Sequence, residues 1–329
     1  MDFCPFLFYD SVTRKLPEDD FCALGLLDGN LGFCAVQHHT KAYSMVVVED
    51  EEDGEELDIE LSSCCSPGTF KSCQLPRLRK SFTGKKAIKF ALKNPQNCKE
   101  LKIWSTDVRI HVTVQFLKYL KPIMEGQIDQ MRIKDLETYK GLVVEFLSEY
   151  ENKDILNMFA VAFALNLVRK IEVTDITGFI LTDFLKSLLL NPEIDIEVEE
   201  DRYFATQIDS NGLENMEEVV KTVWERWESQ GYVGRKQFTF SRNPTEWFDA
   251  KWERDLNPPA RMRKQSEEYS IHSKKRVFRH QHPENSENAV YLVAECSTKK
   301  LCSGGRKLPS DVPDKEFLEL SNEFILYSL

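Results

Sequence analysis

The chain lacks the short motifs that usually announce chemistry. Its nine cysteines contain no Cys-x-x-Cys pair, and no Gly-x-Ser-x-Gly nucleophile elbow occurs. The segment Gly304-Gly305-Arg306-Lys307 has no strand before it and no helix after it, so it reads as a linker rather than a phosphate loop. Positive charge is in short supply. The 43 Lys and Arg stand against 54 Asp and Glu, a net charge of −11, and such a surface repels nucleic-acid backbones. Two basic stretches, residues 77–89 and 261–279, are broken by turn residues or acids and read as solvated loops. Long apolar runs are missing too. The longest, residues 155–168, contains Asn157 and Asn166 and is too short to cross a bilayer. At the start, Asp2, Pro5, Asp10, Arg14 and Lys15 interrupt any secretory signal. The expectation is a cytoplasmic or nuclear protein with reduced thiols, in keeping with an odd cysteine count. No enzymatic activity, cofactor, metal, nucleic-acid partner or membrane partner is expected.

What is present suits a folded protein that binds others. The 329 residues are 42% apolar and 29% charged, with 21 phenylalanines and 5 tryptophans for packing. Four regions separate: 1–42 as short helices, 43–85 as a hairpin and linker, 86–235 as a βα repeat-like domain, and 236–329 as a mixed α+β part. In the first, Pro17 precedes the acidic turn Glu18-Asp19-Asp20, which favours a helix start, and Gly25, Gly29 and Gly32 mark helix ends and tight approaches. His38-His39 closes that region, where imidazoles suit a helix C-terminus. Residues 43–48 and 57–61 form the expected hairpin around the acidic run 49–56, a self-repelling solvated loop.

Strands are expected at 87–92, 101–104, 131–136, 170–176 and 194–198. Four of them carry an apolar–polar–apolar kernel: Leu101-Lys102-Ile103, Met131-Arg132-Ile133, Ile171-Glu172-Val173 and Ile194-Asp195-Ile196. Helical spacing joins Phe116, Leu120 and Ile123, then Leu142, Phe146 and Tyr150 with Val143 and Leu147 behind them. It also joins Leu181, Phe184, Leu185 and Leu188. Asn215, with Glu218 three residues on, opens a further helix whose stripe is Met216, Val220, Val223 and Trp227. Residues 155–168 are apolar on every side, and helix and buried strand stay open there. Alternating strands and helices make an α/β fold with a mainly parallel sheet. An irregular leucine-rich-repeat-like βα arc is the first choice and a closed α/β sheet the alternative. In the last region, strands are expected at 237–240, 269–271, 276–278 and 289–294. Asn243-Pro244 starts a short helix with Trp247, Phe248 and Trp252, and residues 316–329 form an amphipathic end segment.

Two clusters invite a metal reading. Cys64, Cys65 and Cys73 lie close in sequence but have no histidine near them. His280 and His282 would share one side of a strand, with Cys296 and Cys302 downstream. Neither has the paired spacing a metal loop requires, so ordinary thiols and solvated imidazoles are the expectation. Trp224 and Trp227 read as core, and of Trp247 and Trp252 one is expected to stand exposed as a binding anchor.

Residues 4–36 resemble a divergent F-box. Pro5 stands at the family's first proline, Leu16-Pro17 at its Leu-Pro pair, Asp20-Phe21 at its Asp-Leu, and Leu24 and Leu27 at the following apolar positions. Cys4 replaces the leucine before the first proline, and Leu31 stands near the usual tryptophan, for which the shifted Phe33 could substitute by volume. The layout as a whole is similar to nematode F-box and F-box-associated proteins. The resemblance implies that residues 4–36 contact the linker subunit of a cullin-based (SCF-type) ubiquitin ligase. Docking would fall to Pro5, Leu7, Phe8, Val12, Leu16, Pro17, Phe21 and Leu24, while the C-terminal region recognises an unknown substrate protein. The alternatives are a non-catalytic scaffold with decayed F-box ancestry and an uncharacterised enzyme.

Overall fold

A computed structural model describes residues 6–15, 24–25, 27–49, 57–62, 82–105, 108–127, 133–147, 152–174, 182–199, 210–248, 250–259, 262, 273–285, 288–297 and 312–328. The fold is mixed α/β and divides into two compact units, Met1–Arg169 and Lys170–Leu329. The division falls inside the 86–235 region expected to be a single repeat-like domain.

The first unit opens with two helices, α1 (Phe6–Lys15) and α2 (Asn30–Lys41). The hairpin follows as expected, β1 (Tyr43–Glu49) against β2 (Leu57–Ser62), with Met45 opposite Leu61 and Val47 opposite Ile59. These four side chains are buried, so the alternation of Leu57-Asp58-Ile59-Glu60-Leu61 does set the register. A short β3 (Phe82–Thr83) extends the sheet beside β2. Next comes α3 (Gly84–Lys93), where a strand over 87–92 was expected. Its buried residues are Ala87 and Ala91, one helical turn apart, and its lysines lie outside.

Parallel to β1 runs β4 (Cys98–Trp104), which pairs antiparallel with β5 (Val108–Val112). The unit's strand order is therefore β3-β2-β1-β4-β5. Helix α4 (Leu117–Met124) buries Leu117, Leu120 and Ile123, with Pro122 inside it. The expected strand at 131–136 is instead the start of α5 (Ile133–Phe146), which buries Leu136, Val143 and Phe146. Most of the ambiguous stretch at 155–168 resolves into α6 (Lys153–Ala164), which buries eight of its 12 residues. Asn152 caps it, its side-chain oxygen accepting from the Asp154 and Ile155 amides.

The second unit holds a βαβαβ run: β6 (Val168–Val173), α7 (Asp183–Leu189), β7 (Asp195–Glu199), α8 (Ser210–Gln230) and β8 (Lys236–Phe240). β6, β7 and β8 lie side by side and parallel, with Ile171 opposite Ile196 and Val198 opposite Phe238. Thr182 caps α7 through the Leu185 amide. Asn215 falls inside α8, which begins five residues earlier than expected, and the stripe Met216, Val220, Val223 and Trp227 is buried as expected.

Beyond β8 the pairing turns antiparallel: β8-β12-β11-β10-β9, with β9 (Glu253–Arg254), β10 (Ser273–Gln281), β11 (Ala289–Ser297) and β12 (Glu323–Ser328). The amphipathic end segment is thus two elements, α9 (Asp314–Leu320) and β12. Among the described residues a parallel succession of three strands covers β6, β7 and β8, and the other pairings are mixed or antiparallel. The expected strand at 269–271 and the Ser303-Gly304-Gly305 joint lie outside the described residues.

Candidate functional site

The N-terminal helices meet along one side only. On α1, Tyr9 and Thr13 are four residues apart and buried, and the Thr13 hydroxyl donates to the Tyr9 carbonyl at 2.7 Å. On α2, Gly32, Cys34, Ala35 and His39 are buried. A polar tie joins the pair, with His38 Nε2 2.8 Å from Asp10 Oδ1. Burial, with the Asp10 carboxylate adding to it, pushes the Cys34 thiol above its ordinary pKa, so it stays protonated and unreactive at neutral pH.

Much of the remaining surface of the pair is apolar and open. Leu7 is 77% exposed, Phe8 54% and Phe33 55%; Phe6, Val12 and Leu27 are exposed as well. The rings of Phe6 and Phe33 lie 6.1 Å apart, which carries the surface from α1 to α2. Scattered exposed leucines are normal on soluble proteins. Six large apolar side chains on two short helices and at Leu27, just before the second, are a feature of contact surfaces.

Of the residues expected to dock a partner, Leu7, Phe8 and Val12 belong to this surface. Leu24 is helical and half-buried, its carbonyl accepting from the Leu27 amide at 3.0 Å. Pro5, Leu16, Pro17 and Phe21 lie outside the described residues. Phe6, Leu27 and Phe33 were not among the expected docking residues. The run Phe6-Leu7-Phe8 is the signal that could have added Phe6, since a run of three aligned apolar residues cannot all point inward on one helix.

The remaining candidates for chemistry are occupied by packing. His280 and His282 do share one side, but both lie against the Trp227 ring, with centroids 5.7 and 4.9 Å away. His282 Nδ1 accepts from the amides of Glu284 and Asn285, and its Nε2 meets the Glu228 carbonyl at 3.1 Å. Trp224 stacks on Phe248 at 4.2 Å, and both Trp224 and Trp227 are buried. Neither Trp247 nor Trp252 is exposed; both are half-buried, so neither is the free anchor that was expected. The described residues contain no group of three or more His, Cys, Asp or Glu able to hold a metal ion, and no helix long and apolar enough to cross a membrane. Cys64, Cys65, Cys73 and Cys302 lie outside them.

Lys236 is an unusual cation. It is 1% exposed, and its Nζ donates to the carbonyls of Asn191 at 2.7 Å and Ile194 at 2.6 Å. Burial lowers its pKa to about 8, against a smaller upward pull from Asp195. Backbone carbonyls consume its donors, so its place is structural, joining the loop before β7 to the start of β8.

Compared with known proteins, the chain matches no family model, and no curated protein or solved structure is similar to it.

Proposed function

We propose that this chain is a non-catalytic protein-binding adaptor that docks the linker subunit of a cullin-based ubiquitin ligase through its N-terminal helices and recruits a substrate protein elsewhere. The single observation that carries it is the open apolar surface of Phe6, Leu7, Phe8, Val12, Leu27 and Phe33. Aromatic side chains on a rigid helix are efficient anchors, because they bring large area with few rotatable bonds. Their segment is also the one that resembles an F-box. The finer description, an F-box-like helical region followed by a leucine-rich-repeat-like arc, belongs to the same proposal. For the arc, support is limited to the run β6-α7-β7-α8-β8.

The test is capture of the purified linker subunit, bound to its cullin partner, by the full chain. Binding is expected for the native sequence. Leu7→Asp combined with Phe8→Asp should weaken it by at least about tenfold while shifting stability by less than about 0.5 kcal/mol, since both residues are exposed. Failure of the native chain to bind sinks the ligase reading. A stable complex with some other protein through the same two residues would favour the decayed scaffold instead.

A further inference from the structure

The basic stretch around residue 89 has no role in that docking surface. Four lysines, Lys85, Lys86, Lys89 and Lys93, stand exposed on α3, whose ten residues include no acid. Lys85, Lys89 and Lys93 follow one another at four-residue intervals. Like charges so spaced repel, by about 0.2–0.5 kcal/mol per pair. A helix built only for its own stability would place Glu among them, as at the end of α4, where the following Glu125 lies 3.7 Å from Lys121. The repulsion is therefore uncompensated within α3, in a chain whose net charge is −11.

Those lysines rim a groove. It is bounded by Lys85, Lys89 and Lys93 from α3 and, across from them, by Lys121 and Glu125, which pair with each other, and has a volume of about 480 Å³. Its floor is Ile88, Leu92 and Met124, all half-buried. The size falls within the range of sites that admit a few side chains or a small ligand. A cationic rim on an apolar floor matches an amphipathic segment with carboxylates on its flanks and one or two large aliphatic residues between. Nucleic acid fits less well. Its bases need aromatic platforms or hydrogen-bonding edges, and the floor supplies neither.

We propose that the α3–α4 groove is a second docking site, which takes an acidic, leucine-bearing segment of a partner protein. Lys85, Lys89 and Lys93 meet the carboxylates, and Ile88, Leu92 and Met124 take the apolar side chain. This goes beyond the N-terminal docking surface and shares no residue with it.

The test is selection of short random peptides displayed on phage against the immobilised full chain, followed by anisotropy measurements on a synthesised winner. Enrichment of Asp and Glu flanking Leu, Ile or Phe is expected. Lys89→Glu with Lys93→Glu, or Leu92→Ser alone, should weaken the winner about tenfold or more, and added salt should weaken it for the native chain. Melting curves check that each variant is folded, and Lys89→Gln with Lys93→Gln gives a milder form of the same loss. Leu7→Asp should leave the affinity unchanged, which separates this site from the linker-docking surface. Absence of acidic enrichment overturns the proposal, as does an affinity indifferent to the lysine changes. Lysine-dependent capture of phosphatidylserine vesicles or duplex DNA in preference to the peptides also overturns it.

Discussion

Gly32 sits where α2 passes the turn that follows residue 24. A Cβ built there would lie 1.8 Å from the Leu27 carbonyl oxygen and 3.2 Å from that of Leu24, both backbone atoms with little room to move. Gly29, one turn earlier at the helix start, holds φ at 92°, a value that side chains resist. Gly32→Ala should cost about 1–3 kcal/mol through this collision, seen as a lower melting temperature and faster amide exchange in α2. Both glycines were legible as punctuation. That one was a conformational requirement and the other a steric one was not, because sequence spacing does not say which backbone comes close.

Lys236 yields a pH prediction. Its pKa is about 8 in the folded chain and returns to an ordinary lysine value near 10.5 on unfolding. Below pH 8 both states hold the proton. Between about 8 and 10.5 the unfolded chain keeps a proton that the native one has released, so stability rises with pH across that window. The neutral amine retains two N–H groups for its two carbonyl partners, so deprotonation breaks neither bond. Lys236→Met should abolish this rise, which integrates to on the order of 3 kcal/mol. Urea midpoints of the two proteins at pH 7 and pH 10.5 would show it, and parallel curves would refute it.

Among elements, β12 has the most exposed consequence for stability. It pairs with β8 on one side and β11 on the other, and buries Phe324, Leu326 and Tyr327. Ending the chain after Ser321 should abolish cooperative unfolding of the second unit, since two strands lose their ladders at once. Tryptophan fluorescence is the measurement, because Trp224, Trp227, Trp247 and Trp252 all lie in that unit. A retained sharp transition would contradict it. The sequence disclosed the apolar character of residues 316–329 but not their division, for Phe317 and Leu318 suit a helix as well as a strand. The two strands expected at 87–92 and 131–136 failed for a related reason. Three-residue kernels satisfy both periods, and only the longer spacing of Leu136, Val143 and Phe146 in α5, or Ala87 and Ala91 in α3, decides for a helix. β5 is the reverse case. Val108, Ile110 and Val112 alternate strictly with Arg109 and His111, a signal that was present and passed over.

At the scale of the molecule, the α/β class, the hairpin, the α8 stripe and the parallel pair β6-β7 were readable, because local periodicity and burial agree there, whereas β8 was assigned to the following region. The antiparallel half of the second unit was not, since its order follows from pairings between segments distant in sequence. The candidate docking surface was half readable. Leu7, Phe8 and Val12 were among the expected docking residues, whereas Phe33 joins them only because α2 folds back along α1.

The position of β12 also bears on how this chain is made. A ribosome that has released β8 and β11 has delivered two strands whose shared neighbour is still missing, each with a row of unsatisfied amides and carbonyls. Until residues 323–328 emerge, those rims lack the strand that joins them, so mispairing threatens the nascent polypeptide for longer than its early helices would suggest.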